Sequence, residues 1–198
     1  MTNTKIAPGS VINFGGIDFI VLDADDEKVL VLAKDSIGNK PFDEGDCNNF
    51  PKGTLCKYLN GTFIKNLKAK GADVSAILDT TVDLTSDDGL KDYGEATTKV
   101  FLLTCDMYRK YRSIIPNLDN WWWLITPYST ESNGYKSLAR NVYTDGSLVN
   151  GNAYYGNRGV RPALYLKSSI FESMKPSLSD YTTEELLTEV LRRNAESN

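Results

Sequence analysis

The sequence predicts a chain of the α/β class, in its α+β form. It has a mixed sheet with flanking helices, a long irregular loop region and an accessory C-terminal helix. Three observations carry this. Short β-branched runs separated by Gly and Asp fill the opening third. Residues 53–67 then switch to a helical period. Residues 128–158 show little periodicity of either kind before an ordinary buried strand resumes.

"SVINF" (10–14), Gly15-Gly16 and "IDFIVLD" (17–23) form a hairpin with a tight glycine turn. "DADDE" (23–27) is a polar turn, since no D-x-D-x-D-G spacing follows that would make a calcium loop. "KVLVLA" (28–33) is the next strand. In "GTLCKYLNGTFIKNL" (53–67) Leu55, Leu59, Phe63 and Leu67 make one helical face for the core, with Gly61 weakening the middle. Residues 79–98 are expected to be an acidic surface loop, "KVFLLT" (99–104) a buried strand and "CDMYRKYRSII" (105–115) a short helix. "WWWLITP" (121–127) is a strand, so its tryptophans alternate in direction, with Trp121 or Trp123 exposed. "GVRPALYLKS" (159–168) closes the sheet, and Pro162 within it argues for an edge or a bulge. Arg161 is expected to be a buried hydrogen-bonding residue.

The main domain is drawn as residues 1–174 and the tail as 175–198. In the tail, Thr182 and Glu185 have capping-box spacing and Tyr181 can staple onto Leu186. Leu186, Leu187, Val190 and Leu191 make a narrow apolar stripe, which should dock on this domain, on a second copy or on another protein.

Composition narrows the function. Lys and Arg total 22 against 26 Asp and Glu, so no bulk attraction to nucleic acid or anionic membrane is expected. No apolar run approaches the ~20 residues of a membrane span, and the first ten residues lack a secretory apolar core, so a cytoplasmic or phage-virion location is expected. With no histidine, Ser–His–Asp and Cys–His catalysis are excluded. Cys47, Cys56 and Cys105 lack metal-ligand spacing, and no cofactor or metal is expected.

"WWWLITPYSTESNGYKSLARNVYTDGSLVNGNAYYGNRGVRPALYL" resembles a bacterial and phage domain of uncharacterised function. Its signature runs W-W-L-R-S-P, a polar stretch, A-R-x-V-x-x-D-G, an Asn-rich stretch, then G-V-R-P-A-L. Trp122, Trp123, Leu124, Pro127, Ala139, Arg140, Val142, Asp145, Gly146 and Gly159 through Leu164 match it, while Ile125 stands where the family has Arg. The likeness covers about residues 8–168. It implies a C-type-lectin-like fold, and some relatives are variable proteins of diversity-generating retroelements, in which Asn codons are mutagenised to Tyr, Ser, Asp, Gly or Thr.

The residues themselves point the same way. Tyrosine offers a large amphipathic surface with few torsions to freeze, and Ser, Gly and Asn adapt their hydrogen bonding, as in antibody paratopes. Tyr128, Tyr135, Tyr143, Tyr154 and Tyr155, with Asn141, Asn150, Asn152 and Asn157 and with Arg140 and Arg158, are therefore read as a ligand-binding surface. The expected activity is non-catalytic recognition of a protein or cell-surface ligand, most simply of a bacterial host, with self-association through the C-terminal helix left open. One alternative is a phage-encoded inhibitor of a bacterial defence or regulatory protein, acting through the acidic 73–95 stretch. Another is an enzyme of the formylglycine-generating type, which the absence of any cysteine after Cys105 disfavours.

Overall fold

A computed structural model describes residues 6–172 and, in the tail, 182–184, 187, 188 and 190. The chain is mixed α/β, mostly antiparallel sheet with a few short helices. β1 (Val11–Phe14) and β2 (Ile17–Ala24) form the expected hairpin. Gly15 and Gly16 take φ of 62° and 76°, the left-handed pair that a two-residue turn between right-twisted strands requires. A Cβ on Gly15 would also lie 2.9 Å from the Leu67 Cα.

β3 (Lys28–Ala33) follows, then β6 (Val100–Phe101) and β10 (Ala163–Lys167) complete a five-stranded sheet in the order β1-β2-β3-β10-β6. Leu164 stands opposite Val31 on one side and Val100 on the other, so the two ends of the described domain meet in one sheet. Pro162 does not mark an edge or a bulge. β10 is an inner strand, its pairing starts one residue later at Ala163, and the Pro162 carbonyl accepts from Ala33 N–H. The missing N–H therefore costs no ladder bond.

The helical stripe is correct in face and broken in geometry. α1 (Thr54–Tyr58) runs through a π-helical turn, Leu59–Phe63, into α2 (Ile64–Ala69), and Leu55, Leu59, Phe63 and Leu67 are all buried. The acidic 79–98 connection is not a loop throughout. It contains the hairpin β4 (Thr80–Asp83) and β5 (Glu95–Thr98). Each of those strands buries one residue, Val82 or Thr98, and Thr81 and Thr97 share a cross-strand hydrogen bond, so little hydrophobic alternation was available to read.

"KVFLLT" pairs only over Val100–Phe101, although Leu102 and Leu103 are fully buried. α3 (Cys105–Tyr111) is capped by Thr104, whose hydroxyl accepts from Met107 N–H. β7 (Trp122–Pro127) is buried along its whole length and pairs with β8 (Leu138–Val142), which pairs with β9 (Leu148–Asn152). The 128–158 segment, expected to be irregular, is thus two strands and three connections. The short α4 (Ser169–Glu172) follows β10.

Most of the expected tail helix lies outside the described residues. Leu187 and Val190, which belong to its stripe, are exposed. Cys47, Cys56 and Cys105 are free thiols, and burial raises the pKa of the last two. Among the described residues no helix is long and apolar enough to cross a membrane, and no three His, Cys, Asp or Glu side chains converge as metal ligands.

Candidate functional site

The site is built on the three-stranded sheet. β7 supplies a buried floor in which Trp122 meets Tyr108 edge-on and Trp123 meets Phe42. Arg161 lies fully buried against Trp122 and gives its guanidinium to the carbonyls of Ala33, Lys34 and Pro116. Burial lowers its pKa to about 10, and the three carbonyls explain why a cation is tolerated there.

Past Pro127 the chain leaves the sheet and returns at Leu138. The turn between is fastened from below by Asn48, which is wholly buried. Its amide nitrogen donates to the carbonyls of Ser129, Tyr135 and Leu138, each at 2.8 Å, and its oxygen accepts from the Tyr93 hydroxyl. Two carboxylates hold the same turn from the side. Asp88 accepts from Ser129, Ser86 and Asn133, and Asp92 accepts from Ser132 and Thr130. The hydroxyls of Ser129 and Ser86 hold Asp88 below the usual carboxylate pKa, and those of Ser132 and Thr130 do the same for Asp92.

On this turn Tyr128 and Tyr135 pack edge to face at 5.4 Å and remain 36% and 44% exposed. Arg140 lies over Tyr128 at 5.9 Å and pairs with Asp87 at 3.5 Å. Asn150 stands opposite Arg140 on β9 and is exposed.

A second cluster surrounds Arg158. Its guanidinium lies 4.1 Å from the Trp121 ring and 5.3 Å from Tyr155. Tyr143 meets Trp121 edge-on at 4.6 Å, and Tyr154, half exposed at 50%, meets Tyr155 at 4.8 Å. Asn152 donates to the Tyr155 hydroxyl, and Asn157 accepts from Arg158. Gly151 lies beneath: a Cβ there would contact Asn141, Tyr155 and Arg158. Burial lowers the Arg158 pKa from its ordinary value.

The strand pleat sends the adjacent residues Arg140 and Asn141 to opposite sides of the sheet. Asn141 is a correction. It is wholly buried, with its amide donating to the Ala139 carbonyl, and has no exposed surface to offer a ligand. Tyr143, Tyr155, Asn152 and Arg158 are half-buried, while Tyr128, Tyr135, Asn150, Tyr154 and Asn157 are exposed.

The sequence missed Asn48, because "CNNF" looks like any polar turn. It also left Trp121 undecided between core and surface. The acidic residues read as a free surface are engaged with their own chain: Asp73 with Ser75, Asp79 with Lys99, Asp83 with Thr85, and Asp87 with Arg109 and Arg140.

No curated protein and no solved structure matches this chain. A family model does match, over residues 26–168, from the polar turn before β3 through the end of β10, leaving the β1–β2 hairpin ahead of it. That range takes in both tyrosine clusters, Asn48 and the buried Arg161, and by it the chain belongs to the family described as Domain of unknown function (DUF6273).

Proposed function

We propose that this chain is a non-catalytic recognition protein, of phage or mobile-element origin, that binds a protein ligand through the exposed tyrosines and neighbouring polar residues of 128–158. The observation that carries the reading is the contrast between surface and support. Tyr128 and Tyr135 stand exposed on a turn whose backbone is fixed by a buried asparagine, Tyr154 stands exposed next to Ala153, whose backbone is bonded to Asp43 and Ser137, and the floor is a fully buried strand. Rigid tyrosines on a fixed frame lose little entropy when they are covered. A C-type-lectin-like frame is part of the proposal. It is supported by the shared sheet of β2, β3 and β10 and by the long excursion between β7 and β10.

The inhibitor reading through the acidic stretch is less favoured, because acids already bonded to their own chain make a poor mimic of a phosphate backbone.

The test is a capture from bacterial lysate by the full chain and by a Tyr128→Ala, Tyr135→Ala, Tyr154→Ala variant. Each single substitution should move stability by less than ~0.5 kcal/mol, as is usual at exposed sites. A true hot spot should cost roughly 2 kcal/mol or more of binding. The expected result is a protein retained by the wild type and lost by the variant, with melting nearly unchanged. Identical retained sets would overturn the reading.

A further inference from the structure

Five arginines lie among the residues 6–172, and four of them meet a carboxylate or a main-chain carbonyl of their own chain. Arg109 pairs with Asp106 and Asp87, and Arg140 with Asp87. Arg112 donates to the carbonyls of Ile115 and Asp145 and to Asn117. Arg161 spends its guanidinium on three carbonyls. Arg158 differs. One terminal nitrogen donates to the Asn157 side chain at 2.9 Å, its Nε, like that of Arg140, is buried without an acceptor, and no carboxylate among the described residues pairs with it. Asp46, which lies by this cluster, accepts instead from the backbone N–H of Tyr154 at 3.4 Å.

The Arg158 guanidinium is nevertheless held firmly, between Trp121 at 4.1 Å and Tyr155 at 5.3 Å. Stacking on two rings fixes its plane and partly desolvates it without using its outward N–H groups. A planar fork fixed in this way suits a carboxylate, which takes two parallel charge-assisted hydrogen bonds. Exposed Tyr154, edge-on to the Tyr155 ring, supplies apolar contact for the chain that carries the carboxylate. Trp, Tyr and Arg together are also the residues that dominate protein interfaces. A sugar would need the Trp121 face on which Arg158 already lies.

We infer that Arg158, framed by Trp121, Tyr143, Tyr154 and Tyr155, anchors an aspartate or glutamate side chain of a protein partner. This rests on the recognition reading above and names the partner chemistry at one of its two clusters.

A random peptide library is selected against the full wild-type chain. Each binder is then measured on Arg158→Gln, Arg158→Glu and Tyr154→Ala variants whose folding is checked by melting. Binders should share an acidic residue at a fixed position and bind Arg158→Gln about tenfold or more weakly, the scale of a lost charge-paired contact. They should recover binding to Arg158→Glu when that acid is changed to lysine, a gain that general loosening of the fold cannot produce. Binders weakened by Tyr154→Ala but equal on wild type and Arg158→Gln would overturn this inference and leave the recognition surface standing. Binders indifferent to both substitutions, or no binders at all, would overturn both. Displacement by inorganic phosphate but not by N-acetylglutamate would make the occupant a phosphate and overturn the carboxylate assignment.

Discussion

Asn48 reaches across more than eighty residues of sequence to hold the turn that displays Tyr128 and Tyr135. Its amide meets three carbonyls and its oxygen meets the Tyr93 hydroxyl, so every polar atom of a fully buried side chain is used. Asn48→Ala would leave those partners without it in a site that water does not reach. The expected loss is about 2–4 kcal/mol of folding stability, by urea unfolding. A loss under ~1 kcal/mol would mean that the turn is held mainly by Asp88 and Asp92. Nothing in the sequence marks Asn48 out from Asn49 beside it, which is also buried but whose side-chain oxygen meets no partner. Arg161 was easier to read. A lone cation between Val160 and Pro162, just ahead of a buried strand, has few ways to be accommodated other than by carbonyls.

At the scale of elements, the π-helical turn at Leu59–Phe63 has a use. It places Asn60 against β6, the outermost strand of the five-stranded sheet. The Asn60 amide nitrogen donates to the Val100 carbonyl at 2.9 Å and its oxygen accepts from the Val100 N–H at 2.9 Å. The side chain thus imitates one peptide unit of a further strand, and the edge is closed. Asn60→Ala should cost about 1–3 kcal/mol. It should also speed hydrogen exchange at the Val100 amide far more than at Val31, which lies within the sheet. Equal effects at both amides would rule out a local role for Asn60. β1, β2 and β3 were legible because each buries a continuous apolar run or pairs across a Gly-Gly turn. β4, β5, β8 and β9 were not. "TTVD", "EATT" and "LVNGN" bury at most one residue each, so no period-two signal exists, and their pairing is decided by neighbours distant in the sequence.

For the molecule as a whole, the seam between residues 86–92 and 129–133 is made of carboxylates accepting from hydroxyls. Asp88 and Asp92 have pKa values below the ordinary 3.8, so in the window beneath that value the unfolded chain binds more protons than the folded one. Their contribution is complete above the unfolded value and is lost as pH falls through the lower folded values. Unfolding free energies measured from pH 5 downward should therefore fall less steeply for an Asp88→Asn, Asp92→Asn variant than for the wild type. Parallel slopes would show that the seam does not depend on charge. The candidate surface was legible as a composition, Tyr and Asn at high density, but not as a shape. The pleat sends Arg140 and Asn141 to opposite faces, and a sequence without visible strands cannot show which of the two is buried.

Asn48 grips only main-chain carbonyls above it: Ser129, Tyr135 and Leu138 contribute oxygen atoms that every amino acid possesses. The clasp is therefore blind to the letters it holds. Exposed positions whose side chains take no part in the carboxylate seam, such as Tyr135 and Lys136, can be rewritten while the loop keeps its course. For an engineer that is the specification of a display scaffold, with a randomisable crest riding on an anchor placed elsewhere in the chain.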